Sequence, residues 1–193
     1  MKKLDRASLW GLEQYAERRP EFRAEVIAHK KTRRISIGAH ATLCFEDALT
    51  MRYQIQEMLR TERIFEAGEI EAELAAYNPL IPDGSNWKAT FLIEYPDVEE
   101  RRVALAGLGG VEHTIWARVG DGEKVFAVAN EDMDRSTDGK ASAVHFLRFE
   151  LPAASKQAAQ QGAAIEFGID HERLTGSVTL SEAGRQSLVA DLD

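Results

Sequence analysis

The chain has 193 residues, 44% of them hydrophobic and 29% charged, proportions that suit a globular protein; no apolar run approaches the roughly 20 residues of a membrane helix. The formal net charge of −8 is uneven, with 10 Lys/Arg against 5 Asp/Glu in residues 1–36 and 14 against 27 in residues 37–193. One cysteine, Cys44, excludes an internal disulfide, and with no apolar stretch behind the basic N-terminus it points to a cytoplasmic protein.

Two helices are expected first. Ser8 can cap a run carrying Leu9, Leu12 and Tyr15, and Pro20 suits the first position of a second helix over residues 21–31. The run His29-Lys30-Lys31-Thr32-Arg33-Arg34 that follows can hold an anion, and it equally answers the dipole at a helix C-terminus. An acidic body repels a polyanion, which argues against nucleic acid. Residues 33–46 alternate strictly, with Ile35, Ile37, Ala39, Ala41, Leu43 and Phe45 on one side, and read as one long strand. Asp47 then caps an amphipathic helix over residues 48–65, with Met51, Ile55, Met58 and Leu59 as its apolar stripe.

An acidic helical stretch over residues 66–76 leads to Tyr77-Asn78-Pro79-Leu80-Ile81-Pro82-Asp83-Gly84-Ser85-Asn86, where two prolines and an Asp-Gly turn exclude regular structure. The remainder carries a faint duplication. Residues 87–95 form a strand, Asp97 and Glu100 box the start of a helix that Gly109-Gly110 ends, and residues 114–119 and 124–130 form a hairpin. The second copy has a strand over residues 143–151, a helix over 152–161, strands over 163–169 and 177–180, and a short terminal helix.

The fold class expected is therefore α+β: N-terminal helices, a long strand with its helix, then a mostly antiparallel sheet from two strand–helix–strand–strand repeats. Residues 1–76, the connector 77–86 and residues 87–193 are expected to form one compact domain. The succession is similar to that of small-molecule-binding modules such as the GyrI-like proteins, and a ligand cleft is expected between the copies.

The histidines give no paired-ligand spacing. His40 and Cys44 on one strand lie ~13 Å apart at about 3.3 Å per residue, too far to share a zinc. A helical crossover would set the strands of His145 and His171 parallel in one sheet, with the two rings at opposite ends. Residues 132–139 imitate a calcium loop, but the glycine is misplaced and position twelve is Ala143. Cys44, followed by Glu46-Asp47, reads as a partly buried thiol of raised pKa and no nucleophile. The polar face of the 48–65 helix is denser in functional groups. Tyr53, Gln54, Gln56, Glu57 and Arg60 crowd it, with Glu46 and Asp47 just before it; Arg52 lies on the same helix, and Trp87, His145 and Arg148 can join them from the sheet.

Several strings resemble an uncharacterised bacterial family catalogued as domain of unknown function 3501. They are Arg19-Pro20-Glu21-Phe22-Arg23, Ala28-His29-Lys30-Lys31, the run from Leu49 to Leu59, Asn78-Pro79-Leu80-Ile81-Pro82-Asp83-Gly84, and Ser142-Ala143-Val144-His145-Phe146-Leu147-Arg148-Phe149. The resemblance runs to about Glu172. It implies no reaction; its genes' association with rubrerythrin-like and iron–sulfur oxidoreductases implies an accessory role in redox or peroxide metabolism.

The function expected is a non-catalytic binding or accessory protein, with Glu46, Arg52, Tyr53, Gln56, Glu57, Trp87, His145 and Arg148 as ligand contacts and no metal. One alternative is a metal-dependent enzyme using Glu46, Glu57 and a histidine; another is a partner-docking protein with a basic start and acidic body. The sequence names no cofactor. Expected partners are a small ligand or a redox oxidoreductase, with a homodimer left open.

Overall fold

The computed structural model describes residues 3–129, 131 and 140–193; the acidic stretch 132–139 lies outside them. The chain opens with a 3-10 turn, Arg6–Ser8, and then a single helix, α1 (Leu12–Lys30), in place of the two expected. Pro20 lies inside α1 and is exposed, so the carbonyl it leaves without a helical donor is on the solvent side, where water can serve.

The long strand of the sequence reading is a hairpin, β1 (Arg34–Ile37) and β2 (Ala41–Phe45), paired antiparallel with Ile35 opposite Leu43 and Ile37 opposite Ala41. The three-residue turn between them keeps parity. Residues of odd number therefore face the core on both arms, and alternation alone cannot distinguish one strand from two. Gly38, with φ +67°, supplies the left-handed step the reversal needs.

Asp47 caps α2 (Ala48–Thr61) through a reciprocal box with Thr50. Arg63 takes φ 56°, which ends the helix short of the expected residue 65 and frees α3 (Ala67–Tyr77). Met51, Ile55 and Leu59 form its buried stripe; Met58 is only half-buried.

Past a 3-10 turn at Asn78–Leu80, the duplicated order appears: β3 (Asn86–Ile93), α4 (Val98–Ala106), β4 (Ile115–Val119) and β5 (Val125–Phe126), with β6 (Val128–Ala129) following. Then come β7 (Val144–Glu150), α5 (Ala153–Gln160), β8 (Ile165–His171), β9 (Leu174–Thr179) and α6 (Glu182–Val189). The strands make two antiparallel sheets, ordered β1-β2-β3-β7-β6 and β5-β4-β8-β9. Each copy sends its first strand to one sheet and its later strands to the other, so like pairs with like: β3 with β7, β4 with β8. The crossover helices thus join sheets. His145 and His171 lie in different sheets, and the parallel pairing expected of their strands does not occur.

The chain passes between sheets at Ala127, buried between β5 and β6. The space between the sheets is filled by aromatic side chains. Phe167 of β8 has ring centroids of Phe45, Phe149 and Trp87 at 4.7, 5.3 and 5.7 Å, and all four rings are buried. The helices carry their own apolar clusters: Tyr15, Phe22 and Val26 in one, and Ile55, Leu59 and Leu74 in another.

Candidate functional site

With odd-numbered residues of β1, β2, β3 and β7 turned into the core, even-numbered ones make the outer face of the five-stranded sheet. Register lines up Arg34, Cys44, Thr90 and Phe146 across four strands. A neighbouring row runs through Lys88, Arg148 and Val128. Two cavities open on this face. One, of about 500 Å³, is bounded by Ile27, Lys30 and Lys31 from the end of α1 and by Arg34, Ser36, Cys44 and Glu46. The other, of about 470 Å³, lies between Tyr77, Pro79 and Leu80 on one side and Lys88, Phe146 and Arg148 on the other.

The face is cationic beside the end of α1, and the row through Cys44, Thr90 and Phe146 is uncharged. Lys30 and Lys31, both exposed, make no side-chain hydrogen bond or ion pair among the described residues. Arg34 meets Glu94 at 2.8 Å. Burial first, then the Glu46 charge, push the Cys44 thiol above its ordinary pKa, so it stays protonated at neutral pH and is a weak nucleophile. Lys88 donates its ammonium to the Pro79 carbonyl, which fastens the connector to β3. This arrangement can receive an anionic head near Lys30 and Lys31 and an apolar body along Cys44, Thr90 and Phe146.

The eight residues singled out from the sequence do not assemble into one site. Glu46 is buried, and its two oxygens accept from the hydroxyls of Thr50 and Thr90, each at 2.7 Å. Glu57 is bound by α1: Tyr15 donates to Oε1, and Arg19 spans both oxygens at 2.7 and 2.9 Å. Hydrogen bonding to Arg19 is the first cause holding the Glu57 carboxyl down at about 2, against desolvation that raises it. Gln56, fully buried, accepts from the Trp10 amide at 2.7 Å and donates to the Trp10 carbonyl at 3.2 Å. Tyr53 packs against Phe22 with centroids 5.7 Å apart. Arg52 lies over Trp10.

Trp87 is core, its indole donating to the Leu188 carbonyl at 2.8 Å. His145 is buried on the inner side of β7, with Nε2 at 2.9 Å from the Ser142 carbonyl. Arg148 faces outward and is held by Glu131 at 2.9 Å and Glu150 at 2.5 Å. Glu46, reaching Thr90 on the outer face, and His145, beside Phe91 on the inner, stand on opposite sides of the sheet. Among the described residues no group of three or more His, Cys, Asp or Glu is arranged to hold a metal ion.

Of the eight, Glu46 and Arg148 border the two sheet-face cavities. Thr90 and Phe146 were missed as site residues, although the even-numbered alternation that turns them outward is readable in the sequence; Lys30 and Lys31 were legible only as part of a basic run able to hold an anion. A buried charge cluster was also missed. Arg33 donates to Asp191 at 2.5 Å and to the carbonyls of Phe45 and Glu46 at 3.1 and 3.0 Å. His29 Nε2 lies 2.5 Å from Asp47. Burial raises the Asp47 carboxyl, but Arg33, the Thr50 amide and His29 outweigh it and leave the group below its ordinary value.

The sequence profile of a family described as "Protein of unknown function (DUF3501)" matches residues 3–192. A crystal structure of a novel protein of unknown function from Burkholderia pseudomallei K96243, at 1.90 Å resolution, is 50% identical and superposes with a TM-score of 0.94, covering 100% of both chains. No curated protein matches the chain. No helix of the described residues is long and apolar enough to cross a membrane.

Proposed function

The chain belongs to the DUF3501 family, and from that premise we propose that it is a non-catalytic binding protein whose ligand lies on the outer face of the five-stranded sheet. The observation that carries the reading is the cavity of about 500 Å³ between the end of α1 and β1–β2, with Lys30 and Lys31 at its rim. Its size suits a small organic molecule. Two ammonium groups without carboxylate partners favour an anionic head, and the Cys44–Thr90–Phe146 row offers an uncharged bed for the rest.

The carboxylates near this face support binding better than acid–base chemistry. Glu46 already accepts from a hydroxyl on each oxygen, and Glu57 serves the packing of α1 on α2. A metal enzyme on Glu46, Glu57 and a histidine draws no support from residues so separately engaged. The setting we propose is cytoplasmic, as an accessory to rubrerythrin-like or iron–sulfur redox proteins, a role that rests on what the family resemblance implies.

Thermal denaturation against a panel of small organic acids tests the reading. A ligand of this face raises the midpoint of the wild-type protein and loses that effect when Lys30→Glu and Lys31→Glu are combined, both positions being exposed. A panel in which every effective acid acts equally on the double variant would overturn it.

A further inference from the structure

A separate cavity, of about 260 Å³, lies where α1 and α2 meet the segment before α1. Trp10 lines it together with Arg18 and Arg52. Arg52 of α2 sets its guanidinium carbon 4.0 Å from the ring centroid, and Arg18 of α1 sets its own at 5.3 Å. Two like charges are thus gathered on one aromatic ring, which attracts each of them and does nothing to relieve their mutual repulsion.

Four of the other half-buried arginines show what is missing, while a fifth, Arg101, reaches the Tyr95 carbonyl at 3.4 Å. Arg19, Arg118, Arg148 and Arg185 each hold a carboxylate in an ion pair. Arg52 is similarly withdrawn from water and holds none among the described residues; its Nε is buried with no hydrogen-bond acceptor. Arg18 also lacks an ion pair or side-chain hydrogen bond among the described residues. Glu21 and Glu25 border the same cavity without reaching either guanidinium in an ion pair. A buried guanidinium donor without an acceptor is costly, and a planar fork beside a second cation matches the oxygens of a carboxylate or phosphate.

We propose that this cavity is a binding site for a small oxyanion, a carboxylate or phosphate group bridging Arg18 and Arg52 against Trp10. The site is distinct from the sheet face and does not depend on it. Glu21 and Glu25 line the same cavity, so the ligand is one small enough to meet the two guanidiniums without meeting these carboxylates.

The test is a titration of the full-length protein with inorganic phosphate and, separately, acetate, followed by the NMR signals of the Arg52 Nε–H and the Trp10 indole N–H. Either anion should shift both signals saturably, and Arg18→Gln, an exposed position, should weaken that binding at least about fivefold. Arg52→Lys, which keeps the charge and loses the fork, should weaken it further while the protein remains folded by circular dichroism. Saturation by phosphate alone assigns a phosphoryl ligand, and by acetate alone a carboxylate. Absence of saturation by both, or saturation that Arg18→Gln leaves unchanged, overturns the proposal.

Discussion

Arg33 and Asp191, 158 positions apart, meet at 2.5 Å in a site where both side chains are almost wholly buried. This pair ties the C-terminal segment after α6 to the start of the β1–β2 hairpin, and Trp87 reinforces it through the Leu188 carbonyl. Removing the guanidinium takes its hydrogen bonds from Asp191 and from the carbonyls of Phe45 and Glu46, and its ion pair at 3.5 Å from Asp47. Arg33→Met should therefore cost about 3–5 kcal/mol of stability, read as a fall in the urea midpoint at constant slope; a loss below about 1 kcal/mol would contradict the role.

Burial lifts the Asp191 carboxyl to about 6, in spite of Arg33 beside it, from an ordinary value of 3.8. A raised acid binds its proton more tightly in the folded state. Its contribution to stability is thus full at pH below the unfolded value and is lost as pH rises through about 6. Urea midpoints of wild type and Asp191→Asn, measured over that window, should differ in slope, the wild type declining more steeply with pH. Parallel profiles would remove Asp191 as the titrating group.

Glu57 works in the opposite sense. Its carboxyl, held at about 2 against an ordinary 4.5, adds stability that is present above the ordinary value and disappears as pH falls through the folded one. Glu57→Gln should cost about 1–3 kcal/mol near neutral pH and flatten the acid limb of the stability profile. An unchanged acid limb would show that the contact with Tyr15 and Arg19 is energetically idle.

The hairpin turn offers a backbone test free of packing. A Cβ on Gly38 would meet nothing within 4 Å, yet the residue sits at φ +67°. Gly38→Ala should cost about 1–2 kcal/mol from conformation alone and leave the structure unchanged; a neutral substitution would mean the turn adopts another conformation in solution.

Local signals specify local structure. Asp47 caps α2 and Asp97 caps α4, because side-chain oxygen and backbone amide lie within three residues of each other. The order of strands and helices in both copies was legible for the same reason. What was not legible depends on distance. Nothing near Ile35–Phe45 says whether the alternation turns back, since a three-residue turn preserves it. Nothing near β7 and β8 says that they enter different sheets.

The candidate site suffered the same limit. Arg52, Tyr53, Gln56 and Glu57 do crowd one surface of α2, but that surface is covered by α1 and the segment before it, through contacts such as Gln56 to Trp10 and Glu57 to Tyr15, 46 and 42 residues apart. Polar residues on a helix face look alike in sequence whether they meet a ligand or another helix. The outer sheet face was readable as alternation around Cys44 and Thr90; its importance came from what α1 and the connector leave uncovered.

Native mass spectrometry of protein purified without a tag, paired with metal analysis, tests the binding function most directly. A non-catalytic binding protein should carry, or take up, one small organic molecule per chain, with only trace metal and with the adduct lost on combining Lys30→Glu and Lys31→Glu. Stoichiometric iron, manganese or zinc without an organic adduct would contradict it.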